Sequence, residues 1–402
     1  MTSDDRNPPG GSDPYDDEPI WAGRADDRDP AAGAGDAGRH RRSAVGTRQQ
    51  PPRPGPVSPG RRRRRGRRIL IACCLIVLVL IGGAVITLYG ASQHLAGQVH
   101  RIPNVFNTKS LPPSSRPTVP AASKTAVTFL LVGSDSRSGQ PTTGSAASSS
   151  LTVGGQRSDA LMLVRIDPDR KSAVVVSIPR DTWVDVPGHG KAKINAAYSY
   201  GGPTLGIQTV ENLTHVRIDH FAAIDFAGFK SMTDALGGVD VKVAATTTSD
   251  GVTFHQGINH LDGSQALTYV RQRHELSRGD LDRVQRQQEV LRAIMTQTIS
   301  SGTLSNPLKL YHVLSAITKS VSVDDTMSNG DLRSLALSLR GLRGSGVTFM
   351  TAPISGSGVV DRQDVLFLDP AAAPQLWSAI NNGKVSQYLQ QHNADTLPDA
   401  PR

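Results

Sequence analysis

Residues 157–182 read RSDALMLVRIDPDRKSAVVVSIPRDT, and the fold turns on how this stretch is read. Two apolar runs of strand length, Ala160 to Ile166 and Ser172 to Ile178, flank Asp167-Pro168-Asp169-Arg170. Runs rich in Val, Ile and Leu on either side of such turn residues predict an antiparallel hairpin. Reversal of the chain then brings Arg157-Ser158-Asp159, before the first strand, to the same end of the sheet as Pro179-Arg180-Asp181-Thr182, after the second.

Upstream, VTFLLV at 127–132 is a continuous apolar run ending at Gly133, which predicts a buried strand followed by a loop with Asp135 and Arg137. Ser138 to Gly155 is rich in Ser, Thr and Gly and is expected to be a mobile insertion. Downstream, helices are predicted over 202–213 and 226–236, the second stopped by Gly237-Gly238. Strands are predicted over 221–224, 239–243, 347–350 and 365–368. Alternating strands and helices predict a layered α/β domain, and the hairpin makes its sheet mixed rather than parallel.

Charge is divided unevenly along the 402 residues. Residues 1–123 hold 18 Lys and Arg against 10 Asp and Glu, a net +8, whereas 124–402 hold 26 against 25. The nearly neutral folded part lacks the basic footprint of a nucleic-acid-binding domain, so no nucleic-acid partner is expected. Residues 1–68 lack apolar periodicity and are expected to be a disordered tail ending in the basic run Arg61 to Arg68. Residues 69–90, ILIACCLIVLVLIGGAVITLYG, carry no charge and as a helix would span roughly 30 Å. With the arginines before it, this run is expected to cross a membrane once, N-terminus in the cytoplasm and the domain outside. A cleaved signal peptide is the alternative. Five prolines between 91 and 123 predict an extended stalk. The domain is expected over 124–390, with 391–402 a disordered end. Cys73 and Cys74 both lie in the apolar run, which leaves the domain without a disulfide or thiolate metal site. They are read as lipid-facing surface, with palmitoylation the alternative.

The second charged stretch, residues 271–288, reads RQRHELSRGDLDRVQRQQ. Asp280 is expected to cap a helix on which Arg283, Arg286 and Gln287 share a face. Guanidinium groups near a helix N-terminus make an anion site, and Arg271 and Arg273 can add to it. With few acidic residues nearby, these arginines point to an anionic ligand, and their fork geometry suits phosphate oxygens. A solvated helix with internal ion pairs is the bland alternative. Asp135 and Asp159 each stand beside an arginine at a strand end. One or two carboxylates plus substrate phosphates commonly hold Mg²⁺, although Asp beside Arg is as often a surface ion pair. No GxSxG, Walker loop, HExxH or Cys/His spacing is present. Trp183 is read as a packing residue rather than a sugar platform.

Five blocks in order resemble the LytR-CpsA-Psr family of bacterial envelope proteins: FLLVGSDSR at 129–137, RSDALMLVRID at 157–167, SIPRDTWVDVPGHGKAKINAAYSYGG at 177–202, IDHFAAIDFAGFKSMTDALGGVDV at 218–241, and QALTYVRQR at 265–273 continuing to Gln288. The resemblance implies a mixed β-sheet between α-helices, with an apolar pocket for a polyprenyl chain. It implies a phosphotransferase that moves a glycopolymer from a polyprenyl diphosphate carrier to a peptidoglycan hydroxyl. On that reading Asp135 and Asp159 hold Mg²⁺ (or Mn²⁺). Arg157, Arg180, Arg271, Arg273 and Arg283 clamp the diphosphate, with Gln287 an auxiliary contact. Asp159, Arg180, Arg271 and Arg273 are the expected catalytic groups, and Asp159 the candidate general base. The long insertion after Asp135 departs from the family pattern. The Ala-, Gly- and Arg-rich composition points to an actinobacterium, where arabinogalactan attachment would be the reaction. Hydrolysis of the carrier and a non-enzymatic regulatory role are the alternatives.

Overall fold

The computed structural model describes residues 90–91, 93–136, 142–144, 147, 156–298 and 306–401. The tail expected over 1–68, the membrane helix expected over 69–90 (Gly90 apart) and most of the insertion at 138–155 lie outside the described residues. Among the described residues no helix is long and apolar enough to cross a membrane.

In chain order the elements are β1 (His100–Ile102), β2 (Val127–Ser136), β3 (Gln156–Ile166), β4 (Ala173–Ser177), β5 (Trp183–Val186), β6 (Gly190–Lys193), α1 (Ile194–Thr214), β7 (His220–Asp225) and α2 (Phe226–Ala235). Next come β8 (Val239–Val243), β9 (Thr247–Ser249), β10 (Val252–Phe254), β11 (Gly257–Leu261), α3 (Gly263–Arg271), α4 (Asp280–Thr298), α5 (Pro307–Ser320) and β12 (Val321–Asp324). The last are α6 (Asn329–Ser338), β13 (Val347–Thr351), β14 (Ile354–Val360), β15 (Gln363–Leu368), α7 (Ala372–Asn381) and α8 (Val385–Gln391).

Seven strands form one sheet in the order β1-β12-β7-β2-β3-β4-β13. The β2–β3–β4 meander is antiparallel, while β7 runs parallel to β2 and β13 parallel to β4, so the sheet is mixed as expected. Side chains alternate across the sheet. Leu130, Val132, Leu161, Leu163, Val174 and Val176 point to one face and pack with α1 and α7 through Ile207, Val210, Leu376, Trp377 and Ile380. Each such side chain contributes about 1.5–3 kcal/mol on burial. Leu131, Met162, Val175 and Phe349 lie on the other face. On that side α2, α3, α4 and α5 form a separate apolar cluster around Leu236, Ala266, Tyr269, Val290 and Val313.

Several boundaries differ from the sequence reading. The helix expected over 202–213 is the second part of α1, which begins at Ile194, kinks at Gly201 and Gly202 and resumes at Pro203. Gly202 has φ of 63°, and a Cβ at Gly201 would lie 2.5 Å from the Leu205 side chain. The strand expected over 365–368 pairs with β14 in a hairpin of its own, outside the main sheet.

The stalk expected over 91–123 is part of the fold. β1 pairs with β12 at the sheet edge, Ile102, Val105 and Leu111 enter the core, and Arg116 reaches the buried Glu211 at 2.6 Å. Its apolar residues are isolated rather than periodic, which is why composition alone read as a spacer. The end expected to be disordered over 391–402 is also docked. Leu397 N–H donates to Phe349 O, Thr351 N–H to Asp395 O, and Ala244 N–H to Pro401 O. Those are main-chain bonds to a sheet edge, which side-chain patterning does not reveal.

Candidate active site

A cavity of about 1270 Å³ lies between the second sheet face and the α2–α5 layer. Asp159, Arg180, Arg271, Arg273, Arg283 and Gln287 all line it. Three segments carry them. The first is the start of β3. Gly133 pairs with Ala160 but Ser134 with Ser158, so Asp159 is the extra residue of a β-bulge. A bulge re-aims a side chain, and here Asp159 and Ala160 both line the cavity. Beyond the bulge the backbones of Asp135 and Arg157 are paired. Their side chains, and all of Arg137, lie outside the described residues.

The second segment follows β4. Arg180 Nη1 donates to Asp159 Oδ1 at 2.5 Å, so the two charged clusters at the ends of the hairpin meet. Arg180 Nε also lies 3.5 Å from Asp181 Oδ2 and 3.7 Å from Asp280 Oδ1, and Lys193 Nζ lies 2.9 Å from Asp181 Oδ1.

The third segment runs from α3 into α4. Gln272 is buried, and its Oε1 accepts from Arg286 Nη1. Arg286 is fully buried over the Tyr269 ring and also donates to Thr247. Arg286 therefore does not share the cavity face with Arg283 and Gln287 as expected. It anchors the buried side chain of Gln272, the middle residue of Arg271-Gln272-Arg273, and all three of these residues line the cavity. Arg271 lies over the Phe226 ring at 4.9 Å. Asp280 is the first residue of α4 rather than its cap, and its Oδ1 lies 2.7 Å from Arg283 Nη2.

The electrostatics favour an anion. Arg283 keeps only 3% of its side chain exposed, and its Nε has no hydrogen-bond partner among the described residues. Burial pushes its pKa down to about 10, opposed by Asp280 and aided by the charges of Arg180 and Arg273. Burial likewise raises the Asp280 carboxyl, against the pull of Arg283. A buried guanidinium with an orphaned N–H gains most from a charged acceptor. Asp159 also suits a hard cation. Its Oδ1 is engaged by Arg180 and its Oδ2 is bonded to no described group. Among the described residues no three His, Cys, Asp or Glu side chains gather as a metal site, and substrate phosphate oxygens and water would be further ligands for an ion at Asp159.

Behind the charges the cavity is apolar, with Leu131, Met162, Ile224, Phe229, Val270 and Ile317 in its walls. Helix α4 spans both parts. Arg283, Gln287, Leu291 and Met295 recur every four residues on its cavity stripe, so one face turns from charged to apolar over roughly 18 Å. The sequence reading reached the charged half only. Spacing puts Leu291 and Met295 on the stripe of Gln287, but it does not tell a cavity wall from a packed face.

Comparison with known proteins agrees with this architecture. The LytR_cpsA_psr family model matches residues 92–382. The chain is 37% identical over 263 residues to "Cell wall biosynthesis protein LcpA" of Corynebacterium glutamicum, covering 57% of this chain and 50% of that one. It is 38% identical over 185 residues to a "Polyisoprenyl-teichoic acid--peptidoglycan teichoic acid transferase TagU" of Enterococcus faecalis, covering 46% and 59% respectively. The chain thus spans between half and three fifths of the length of these two relatives. Among solved structures it superposes on Bacillus subtilis TagV with a TM-score of 0.52 at 28% identity, covering 66% of this chain and 98% of that one. It matches a LytR-Csp2A-Psr enzyme from Actinomyces oris in fold, with a TM-score of 0.51 at 20% identity over 72% of this chain and 96% of that one. A match over most of the chain, together with the mixed sheet and the arginine-lined cavity, places this protein in the LytR_cpsA_psr family.

Proposed function

We propose that this chain is a membrane-anchored phosphotransferase that moves a glycopolymer from a polyprenyl diphosphate carrier to a hydroxyl of peptidoglycan. The observation that carries the reading is the α4 stripe, charged at Arg283 and Gln287 and apolar at Leu291 and Met295 within one cavity. Such a cavity suits an amphiphile with a diphosphate head and a long hydrocarbon tail. The names of the teichoic acid transferase and cell wall biosynthesis relatives support it.

In the proposed reaction the acceptor hydroxyl oxygen forms a bond to the phosphorus that bears the glycan. The bond from that phosphorus to the bridging oxygen breaks, and polyprenyl monophosphate leaves with the electron pair. Arg180, Arg271, Arg273 and Arg283, with Arg157 two residues before Asp159 in sequence, neutralise the departing charge. Gln287 steadies the Asp159 segment, its Nε2 lying 3.4 Å from Asp159 O. The acceptor proton passes to a cavity carboxylate, for which Asp159 is the proposed group. Asp135 and Asp159 would hold Mg²⁺ or Mn²⁺, which when bound would offset phosphate charge. The apolar run at 69–90 and the arginines at 61–68 support a single-pass anchor with the domain outside the cell. Attachment of arabinogalactan is the proposed cell-wall context.

The test is transfer by the full chain in detergent, using a labelled polyprenyl-diphosphate-linked glycan and peptidoglycan. Label on the acceptor, with release of polyprenyl monophosphate that needs the acceptor and stops on chelation, is the expected result. Equal release without acceptor would make the protein a hydrolase and overturn the proposal.

A further inference from the structure

We propose that the mouth of the cavity is a sugar subsite, in which the stacked rings of His189 and Tyr200 and the tip of the β14–β15 hairpin receive the first sugar of the diphosphate-linked donor. This inference rests on the function proposed above.

The lipid and the glycan sit at opposite ends of a diphosphate. If the hydrocarbon takes the apolar arm behind Arg283, the sugar must leave past the arginines on the open side. Two elements wall that side. One is the β5–β6 hairpin with the first turns of α1. The other is the tip of β14–β15. His189 and Tyr200 line the cavity there, with ring centroids 4.6 Å apart and planes 22° from parallel. Tyr200 is 47% exposed, an unusual position for a large ring that could instead be packed. Aromatic rings with one open side suit the apolar C–H faces of a pyranose.

Across the mouth stand Asp361, Gln363 and Asp364, exposed lining residues whose side chains have no hydrogen bond or ion pair among the described residues. Their planar polar groups match sugar hydroxyls. Val360 pairs with Gln363, so Asp361 and Arg362 alone form the turn, with φ of 49° and 61°. Such turns ordinarily take Asn-Gly. Retaining two larger side chains here carries backbone strain, a frequent mark of a functional loop.

Both walls are bolted to the segment that carries Arg180. Asn195 N–H donates to Arg180 O at 3.2 Å, Ile194 N–H to Thr182 O at 2.8 Å, and Leu366 N–H to Asp181 O at 2.9 Å. A sugar covalently attached to a diphosphate held by Arg180 is therefore confined between them. An acceptor glycan meets the phosphorus only through its attacking hydroxyl and before transfer is joined to nothing that Arg180 holds, and that favours the donor as the occupant.

The test measures binding to the full chain in detergent of two probes, a short-chain prenyl diphosphate and the same compound bearing one N-acetylhexosamine. Tyr200→Ala and His189→Ala are expected to weaken the sugar-bearing probe about tenfold and the sugar-free probe less than about twofold. Tyr200→Phe, which keeps the ring, should bind both as the parent does. Asp364→Asn gives a second reading that leaves the aromatic pair untouched, and selective loss of the sugar-bearing probe is expected again. Equal loss of both probes, or no loss of either, would overturn the subsite. So would normal donor binding with a raised KM for peptidoglycan alone, which would assign the platform to the acceptor. If the parent protein binds neither probe, the function proposed above falls and this inference with it.

Discussion

Leu130 and Leu131 are neighbours in β2, yet Leu130 is fully buried against α1 and α7 while Leu131 lines the cavity. The same comparison holds along β3 for Leu163 and Met162. One face of the sheet is filled by helices that press onto it. The other meets helices whose apolar side chains mostly pack among themselves, around Leu236, Tyr269 and Val290. Composition does not distinguish the faces. What does is whether the second layer satisfies its own burial before it reaches the sheet. A cavity then costs little extra, because the helices standing off already have a core.

The largest expected effect tests the charged end of that hollow face. Arg283→Ala and Arg271→Ala should each lower transfer about 100-fold or more, with melting temperatures close to the parent's. Full transfer by both variants would remove these arginines from the reaction. Next is the direct contrast of neighbours. Leu130→Ala should cost about 3 kcal/mol in urea unfolding, and Leu131→Ala less than about 1 kcal/mol, since it already borders empty space. Equal costs would mean that the two faces are packed alike. Met295→Trp should fill the apolar arm, weakening a long-chain prenyl diphosphate about tenfold with little change for a short-chain one.

The smallest effect concerns the sheet's solid end. Burial would raise the Asp324 carboxyl, but hydrogen bonds from His220, Thr326 and the Phe221 N–H outweigh it and hold the pKa below its ordinary 3.8. A depressed carboxylate pKa stabilises the fold above the unfolded value, and that contribution is lost as pH falls through the folded one. Asp324→Asn should therefore lower the melting temperature at neutral pH and flatten its decline below about pH 4. An unchanged acid limb would show that Asp324 does not set it.

Much of the framework was legible in the chain. The hairpin at 160–178 and its turn follow from strand-length apolar runs around Asp167–Arg170, and the meeting of Asp159 with Arg180 follows from reversal alone. Gly237 and Gly238, with φ of 83° and 93°, end α2 where glycine permits it. The fate of Arg286 was not legible, because helical spacing puts it near Arg283 and only tertiary packing supplies Gln272 and Thr247 as buried partners. Nor was the bulge at Asp159, a register slip decided by two strands at once. The apolar arm was missed for a related reason. Leu131, Leu291 and Met295 are ordinary core residues by type, and a pattern cannot state whether anything packs against them.

The sheet's two outer edges have a consequence for how the protein is made. One edge is β1, at residues 100–102, and the other, β13, is bridged by Thr396. The segments that finish the sheet are thus far apart in the chain, and residue 396 is made long after β1. A nascent chain lacking residue 396 exposes the β13 edge, an open template for pairing with another chain. Productive folding should thus wait for the whole domain to emerge, and a truncation before Asp395 should aggregate during synthesis even though it leaves every residue of the cavity in place.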